Sequence, residues 1–146
     1  MINKATIHDL DQLTLLFDSY RVFYKMKSDL DGARAFLSER LSEKDSAIFV
    51  ARIDDAVLAG FVQLYPVFTS TRMKRLWVLN DLYVSPLFRG RKISVALIDR
   101  AKQHARETKS AGLTLETAKD NMIGNSLYAK TEFVLDADHN FYSWNI

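Results

Sequence analysis

The chain has no cysteine among its 146 residues. Disulfides, thiolate metal sites and a cysteine nucleophile are therefore excluded. Proline occurs twice and glycine five times, so breaks are few and each is informative. An excess of one charge is missing too: 20 basic residues stand against 18 acidic ones, a formal net charge of +2. That balance argues against a nucleic-acid partner. No apolar run approaches the roughly 20 residues of a membrane span, so no membrane association is expected. The histidines His8, His104 and His139 are far apart and lack metal-ligand spacing, so no metal is expected. There is no G-x-S-x-G elbow and no G-K-[ST] loop, which removes two common signatures of hydrolysis and nucleotide binding. Met1-Ile2-Asn3-Lys4 leads into an acidic helix rather than an apolar signal core, so a cytoplasmic location is the expectation.

What is present is a core. Hydrophobic residues make up 48% and charged residues 26%, which suits one globular domain over residues 1–146. Residues 2–5 read as a strand. Thr6-Ile7-His8-Asp9 is a capping box, and Leu10, Leu13, Leu16, Phe17, Tyr20 and Tyr24 follow at helical spacing to about Lys25. Ser28 to Asp31 repeats the capping pattern ahead of Ala33, Phe36, Leu37 and Leu41. Strands are predicted over 47–53, 57–65 and 74–84, with a tight turn at Asp54-Asp55 and a loop over 66–71. A helix from 93 to about 108, a strand over 113–117 and a helix over 122–130 come next. Final strands over 133–135 and 141–144 flank a polar turn at 137–140. The order β-α-α-β-β-β-α-β-α-β-β implies an α/β fold with a mixed sheet and helices on both faces.

The richest stretch is Asn80-Asp81-Leu82-Tyr83-Val84-Ser85-Pro86-Leu87-Phe88-Arg89-Gly90-Arg91-Lys92-Ile93-Ser94. It reads as a strand, a proline stop, a basic turn and a helix start. A helix N-terminus offers unpaired N–H groups and a positive dipole end, a natural phosphate site. Arg89, Arg91 and Lys92 would oppose that dipole unless an anion offset them.

This order resembles the coenzyme A signature of the GNAT superfamily of N-acetyltransferases, Q/R-x-x-G-x-G/A, here Arg89-Gly90-Arg91-Lys92-Ile93-Ser94. Lys92 and Ser94 stand at its two small positions. A second family pattern, N-x-x-A-x-x-x-Y-x-K-x-G-F, aligns with Asn121, Gly124, Tyr128, Lys130, Glu132 and Phe133. Gly124 replaces the alanine and Glu132 the glycine.

The resemblance implies acetyl-CoA as co-substrate and transfer of its acetyl group to a primary amine of a small-molecule acceptor, by direct attack in a ternary complex. By the same resemblance Arg89, Gly90, Arg91, Lys92, Ile93 and Ser94 would hold the pyrophosphate. Leu82, Tyr83 and Val84 would pair with the pantetheine arm, and a backbone N–H of Leu82 or Tyr83 would polarise the thioester carbonyl. Asn121, Ser126 and Lys130 would reach the coenzyme, although Asn121 also suits a helix cap and the other two suit a solvated face. Tyr128 takes the position of the general acid for the departing thiolate; on its own it reads more readily as a core tyrosine, and its register with Asn121 and Phe133 reverses that. Many family members carry a glutamate as base on the strand that here has Asn80-Asp81. Adjacent strand residues face opposite ways, so one of the two lines the cleft. Asp81 is the candidate base, with a cation site or a structural hydrogen bond as its alternatives. On the acceptor side, Tyr20 and Tyr24 could stack on a substrate, Arg21 could bind a carboxylate and Asn80 could edge the pocket; the aromatics also fit a helix core face. Phe141-Tyr142-Ser143-Trp144 would allow pairing across a two-fold axis into a homodimer, as in many members of the family. Lys92, Ser94, Glu132 and the missing glutamate motivate one alternative function, a non-catalytic acyl-CoA-binding module.

Overall fold

The first helix begins where the capping box lies. The Asp9 carboxylate reaches back to the Thr6 N–H at 2.8 Å, and one 3-10 turn at Ile7–Asp9 leads into α1, Leu10–Phe23. The same carboxylate, buried, pairs with Arg52. The computed structural model describes residues 1–54 and 56–146; the expected turn at Asp54-Asp55 includes Asp55 and to that extent lies outside the described residues. Strand β1 is Ile2–Lys4, α2 is Leu30–Glu43, and β2, β3 and β4 are Ala47–Arg52, Leu58–Thr69 and Lys74–Val84. Helix α3 spans Ile93–Glu107, β5 is Leu113–Thr114 and α4 is Met122–Lys130. The described residues form two units, Met1–Glu116 and Thr117–Ile146.

In the first unit the five strands lie in the order β1-β2-β3-β4-β5. All neighbours are antiparallel except β4 and β5, which are parallel. Period-two alternation divides the sheet's side chains between two faces. Ile48, Val50, Leu58 and Phe61 pack with Leu10, Leu13, Leu16 and Phe17 of α1 and with Ala33 and Leu37 of α2. Phe49 and Trp77 point to the other face, where the His104 ring of α3 stands 5.3 and 4.7 Å from theirs. Leu97, Ile98 and Ala101 of α3 are fully buried. The mixed α/β architecture is the one expected.

Several boundaries differ from expectation. Strand β5 covers Leu113–Thr114 rather than 113–117. Helix α2 is capped by Asp29, whose side chain accepts from the Gly32 N–H at 2.9 Å, while Ser28 donates to Asp18 at 2.6 Å. Strand β3 continues through Pro66 to Thr69. Its pairing with β2 ends at Ala47–Leu64, so Pro66 sits where β3 has become an edge and its missing N–H breaks no ladder. The two final strands do not form: residues 133–135 and 141–144 are irregular. The polar turn between them does form, closed by Asp136 accepting the Asp138 and His139 N–H groups at 2.9 and 3.1 Å. Apolar alternation marks a segment fit for a strand, but a strand also needs partners for its N–H and C=O groups.

His104 gives the sheet's α3 face a pH-dependent weak point. Its Nε2 is buried without a hydrogen-bond partner. Burial pushes the imidazole below its ordinary value of 6.5, and Arg100, Lys4 and Arg75 add to that. The unfolded chain therefore binds a proton here more readily than the folded one. Stability is then full above 6.5 and falls as the pH drops from there toward the depressed folded value. Thermal melts across this range should show that acid limb in the native protein and a shallower one in His104→Phe. Identical limbs would refute the assignment. The paired comparison also isolates the histidine from Asp81, whose raised carboxyl works in the opposite direction.

Candidate active site

Strand β4 is held unequally along its two edges. On one side β3 pairs with it along its whole length, from Thr69–Lys74 to Gly60–Val84. On the other, the parallel ladder to β5 covers only Trp77–Leu113 and Val78–Thr114, so β4 runs on past the end of β5. The register with β3 also slips there: Gln63 faces Asp81 and Leu64 faces Leu79. Asn80 is thus the extra residue of a β-bulge, a device that bends a strand and re-aims its side chains.

The bulge turns Asp81 to the face that carries α1 and α2. Its side chain shares that face with Gln63, directly opposite, and Phe61, which packs against α1. Asp81 is only 3% exposed. Gln63, also fully buried, donates from Nε2 to Asp81 Oδ2 at 2.7 Å and accepts from Ser46 Oγ at 3.1 Å. Asn80 Nδ2 donates to Asp81 Oδ1 at 2.9 Å. The Tyr20 hydroxyl donates to the Asn80 carbonyl oxygen at 3.2 Å, beside the Asp81 carboxylate. Burial raises the Asp81 carboxyl above its ordinary range, and Gln63 and Asn80 offset part of that. Burial likewise raises the neighbouring Tyr65 phenol, with the charge of Asp81 adding to the effect. A carboxylate so raised moves toward the range useful to a base at neutral pH.

Beyond β4 the chain makes a 3-10 turn at Pro86–Phe88 and enters α3. Gly90 at φ 79° and Lys92 at φ 59° both adopt the left-handed conformation that favours glycine. Lys92 therefore keeps the backbone shape that a glycine would give, and the departure from the family pattern is one of side chain only. No side chain caps the N-terminus of α3, and a Cβ on Gly90 would meet nothing within 4 Å. Arg91 and Lys92 are exposed beside it. Arg89 donates from Nε to the Val84 carbonyl at 3.1 Å and lies over the Tyr83 ring at 5.8 Å. Leu82, Tyr83, Val84, Ile93 and Ser94 are all partly exposed.

On α1, Tyr20 is fixed by rings. Tyr24, Phe61 and Tyr83 stand edge-on to it at 5.0, 6.1 and 6.5 Å, and Tyr24 is exposed. Arg21 is engaged within the protein: it reaches Asp18 Oδ1 at 3.4 Å and the Lys27 carbonyl at 3.2 Å. Asp18 in turn accepts from the Ser28 hydroxyl and from the Asp29 N–H at 2.8 Å, bonds that hold its carboxyl below the usual carboxylate range. This buried aspartate ties the α1–α2 connection to α1. Asp18, Gln63 and Ser46 were missed by the sequence reading. For Gln63 a signal existed, a lone polar residue inside the run Phe61-Val62-Gln63-Leu64.

In the second unit Asn121 caps α4. Its Oδ1 accepts from the Gly124 N–H at 3.1 Å and its Nδ2 donates to Thr117 at 2.9 Å. Ser126 and Lys130 are exposed on the helix. The far end of α4 explains the Y-x-K-x-G-F pattern. The Phe133 N–H bonds the Tyr128 carbonyl at 3.0 Å and the Glu132 N–H the Ala129 carbonyl at 3.3 Å. Glu132 has φ 68°, and the Tyr128 and Phe133 rings meet edge-on at 5.8 Å. This is a Schellman cap, with Tyr128 and Phe133 as its hydrophobic pair and Glu132 at the position where glycine is preferred. Tyr128 therefore has a structural task whatever its hydroxyl does.

The acetyltransferase (GNAT) family model matches residues 11–133. An uncharacterized N-acetyltransferase of Bacillus subtilis, YhfO, is 38% identical over 145 residues, covering 99% of this chain and 97% of that protein. A crystal structure of a probable acetyltransferase superposes with a TM-score of 0.95 at 39% identity, covering 100% of this chain and 97% of the other. A predicted acetyltransferase from Clostridium acetobutylicum, solved with acetyl-CoA, shares the fold at a TM-score of 0.77 and 18% identity, covering 98% of this chain and 96% of the other.

Replacing Glu132 by glycine removes a left-handed strain of about 1–2 kcal/mol and adds about 0.4–1 kcal/mol of unfolded-chain entropy. Glu132→Gly should therefore stabilise the protein by roughly 0.5–1 kcal/mol in denaturant titrations. A destabilised variant would mean that the Glu132 side chain contributes more than its backbone costs.

Proposed function

The chain belongs to the acetyltransferase (GNAT) family and is an acyltransferase, and from that premise we propose that it moves the acetyl group of acetyl-CoA to a primary amine of a small-molecule acceptor, by direct attack with both substrates bound. The observation that carries this reading is the course of β4. One strand presents a buried carboxylate at Asp81, a stretch beyond the end of the β5 ladder, and then the uncapped N-terminus of α3.

These features fit the coenzyme. Its pyrophosphate suits the first-turn N–H groups of α3, where Arg91 and Lys92 supply positive charge that otherwise opposes the helix dipole. Its pantetheine arm suits the edge of 82–84, left outside the β5 ladder, in the manner of an added strand. Acetyl-CoA supplies an acyl group already activated as a thioester. The chain's own residues supply position and proton transfer. A backbone N–H of Leu82 or Tyr83 would polarise the thioester carbonyl. An alkylamine, with an ordinary pKa near that of lysine at about 10.4, is protonated at neutral pH and must lose a proton before it attacks. Asp81, raised by burial, is the proposed base. Tyr128 is the proposed donor to the departing sulfur. Tyr24 and Asn80 would edge the acceptor.

The test is calorimetric titration with acetyl-CoA and with an analogue lacking the 3′,5′-ADP portion, followed by thiol release with a panel of amines. The panel comprises an alkylamine, a polyamine, an amino acid, an aminoglycoside and a peptide N-terminus. Binding that needs the phosphates, with turnover on one class, is the expected result. Absence of binding at millimolar concentration would remove the coenzyme site, and binding without turnover on any class would remove the acceptor reading.

Tyr128→Phe keeps the ring pair with Phe133 and loses only the hydroxyl. It should lower kcat by on the order of 10²-fold, the low end for general acid–base catalysis, with coenzyme affinity and melting point nearly unchanged. An unaltered kcat would leave Tyr128 as a cap residue alone.

A further inference from the structure

Gln63 is a fully buried amide in the run Phe61-Val62-Gln63-Leu64, whose other members are fully buried and apolar. A buried amide has to satisfy its donor and its acceptor at once. Gln63 does so with partners on either side of β3. Its Oε1 accepts from Ser46 Oγ at 3.1 Å, one residue ahead of β2. Its Nε2 donates to Asp81 Oδ2 at 2.7 Å on β4. The two bonds are coupled. The Ser46 hydroxyl donates to the oxygen end of the amide and so turns the nitrogen end to Asp81. Without that bond the amide could rotate by half a turn and set its oxygen against the carboxylate. Asn80 Nδ2 donates to the second oxygen, Oδ1, at 2.9 Å. Each oxygen of Asp81 thus meets an amide donor, and such donors favour the charged form of a carboxylate. A strand that only filled the core would be served as well by apolar residues at 63 and 81, since replacing both partners of a buried hydrogen bond is often nearly neutral.

We propose that Ser46 and Gln63 are positioning residues for the reaction: Ser46 fixes the orientation of the Gln63 amide, and the amide holds Asp81 ready to take the proton of the acceptor ammonium. The inference rests on the reading of Asp81 as the base. In that step an N–H bond of the ammonium breaks, the proton passes to Asp81, and the electron pair stays on nitrogen. Ser46 and Gln63 neither gain nor lose a proton. Burial works against the ionised carboxylate, and Gln63 leads the groups that counter it, ahead of Asn80. Of the ionisable groups around the carboxylate, Tyr65 and Tyr83 share its face of the sheet and Tyr20 comes from α1. Arg40, near the end of α2, and Asp45 act on Tyr65.

Positioning and mere packing differ in what they do to a titration. The Asp81 carboxyl carbon is titrated by NMR in the native protein, Gln63→Leu, Ser46→Ala and Ser46→Thr, with Asp81→Asn to assign its signal. Losing a hydrogen bond to a charged group makes the ionised form about tenfold less favoured or more, so the Gln63→Leu midpoint should rise by about one pH unit or more. Ser46→Ala should raise it by less, and Ser46→Thr, which keeps the hydroxyl, should restore the native midpoint. The acid limb of kcat, measured with the panel amine turned over fastest, should move by the same amounts, because a protonated Asp81 cannot act as base. Coincident midpoints in the native protein and Gln63→Leu overturn the proposal even if the variant melts lower, since lost packing alone leaves a titration in place. Shifted midpoints beside an unmoved kcat limb overturn the reading of Asp81 as the base, and the positioning role with it. Failure of every amine removes the proposed reaction and both roles. If Gln63→Leu does not fold, Ser46→Ala, at a partly exposed position, decides, and a native midpoint there overturns the proposal.

Discussion

The unequal support of β4 is the constraint on which the site depends. A strand paired fully on both edges has its backbone groups committed and its side chains in strict alternation. Here β3 supplies continuous pairing on one edge, which keeps β4 rigid, while β5 contributes only two residues on the other. The bulge at Asn80 then breaks the alternation where β5 has ended. Without the bulge, Asp81 could not stand opposite Gln63 while Leu79 stands opposite Leu64. The short β5 ladder leaves residues 82–84 of β4 outside it, and the bulge aims the carboxylate.

Electrostatics follows the same strand. At one end is a carboxylate that burial makes reluctant to ionise. At the other is a helix start whose cations oppose the helix dipole until an anion arrives. Each is unfavourable to the isolated fold, and each has a use in the proposed reaction, the first for accepting a proton and the second for holding phosphate. Such local costs fit a working site better than a purely structural one.

Much of this was legible in the sequence, because much of it is local. The helices announce themselves through period and capping residues: Thr6 with Asp9, and Asn121 with Gly124, act within a few positions of each other. The motif from Tyr128 to Phe133 is one helix cap, and so survives the change of its glycine to glutamate. What the sequence could not convey is pairing at a distance. The bulge at Asn80, the retention of Pro66 in β3, and the brace from Ser46 through Gln63 to Asp81 each depend on which strand lies alongside. The two final strands failed for the same reason, since alternation in 141–144 specifies a face but no partner. Arg21, exposed by its helical position, is drawn inward by Asp18 and by the backbone of a loop six residues on.

The resemblance to the acetyltransferases leads one to expect a glutamate on β4, and this chain has an aspartate. The difference is one methylene. A glutamate at this position would carry its carboxylate one methylene farther from the strand. Asp81 instead ends beneath the sheet-side surface, where Gln63 and Asn80 grip both of its oxygens. A base withdrawn that far is well protected from water and hard for an ammonium to touch. The phenol of Tyr20 donates to the Asn80 carbonyl, the backbone oxygen next to Asp81, and so ties α1 to this stretch of β4. Sequence comparison by single positions misses such a contact, because Tyr20 and Asn80 lie 60 residues apart on different elements.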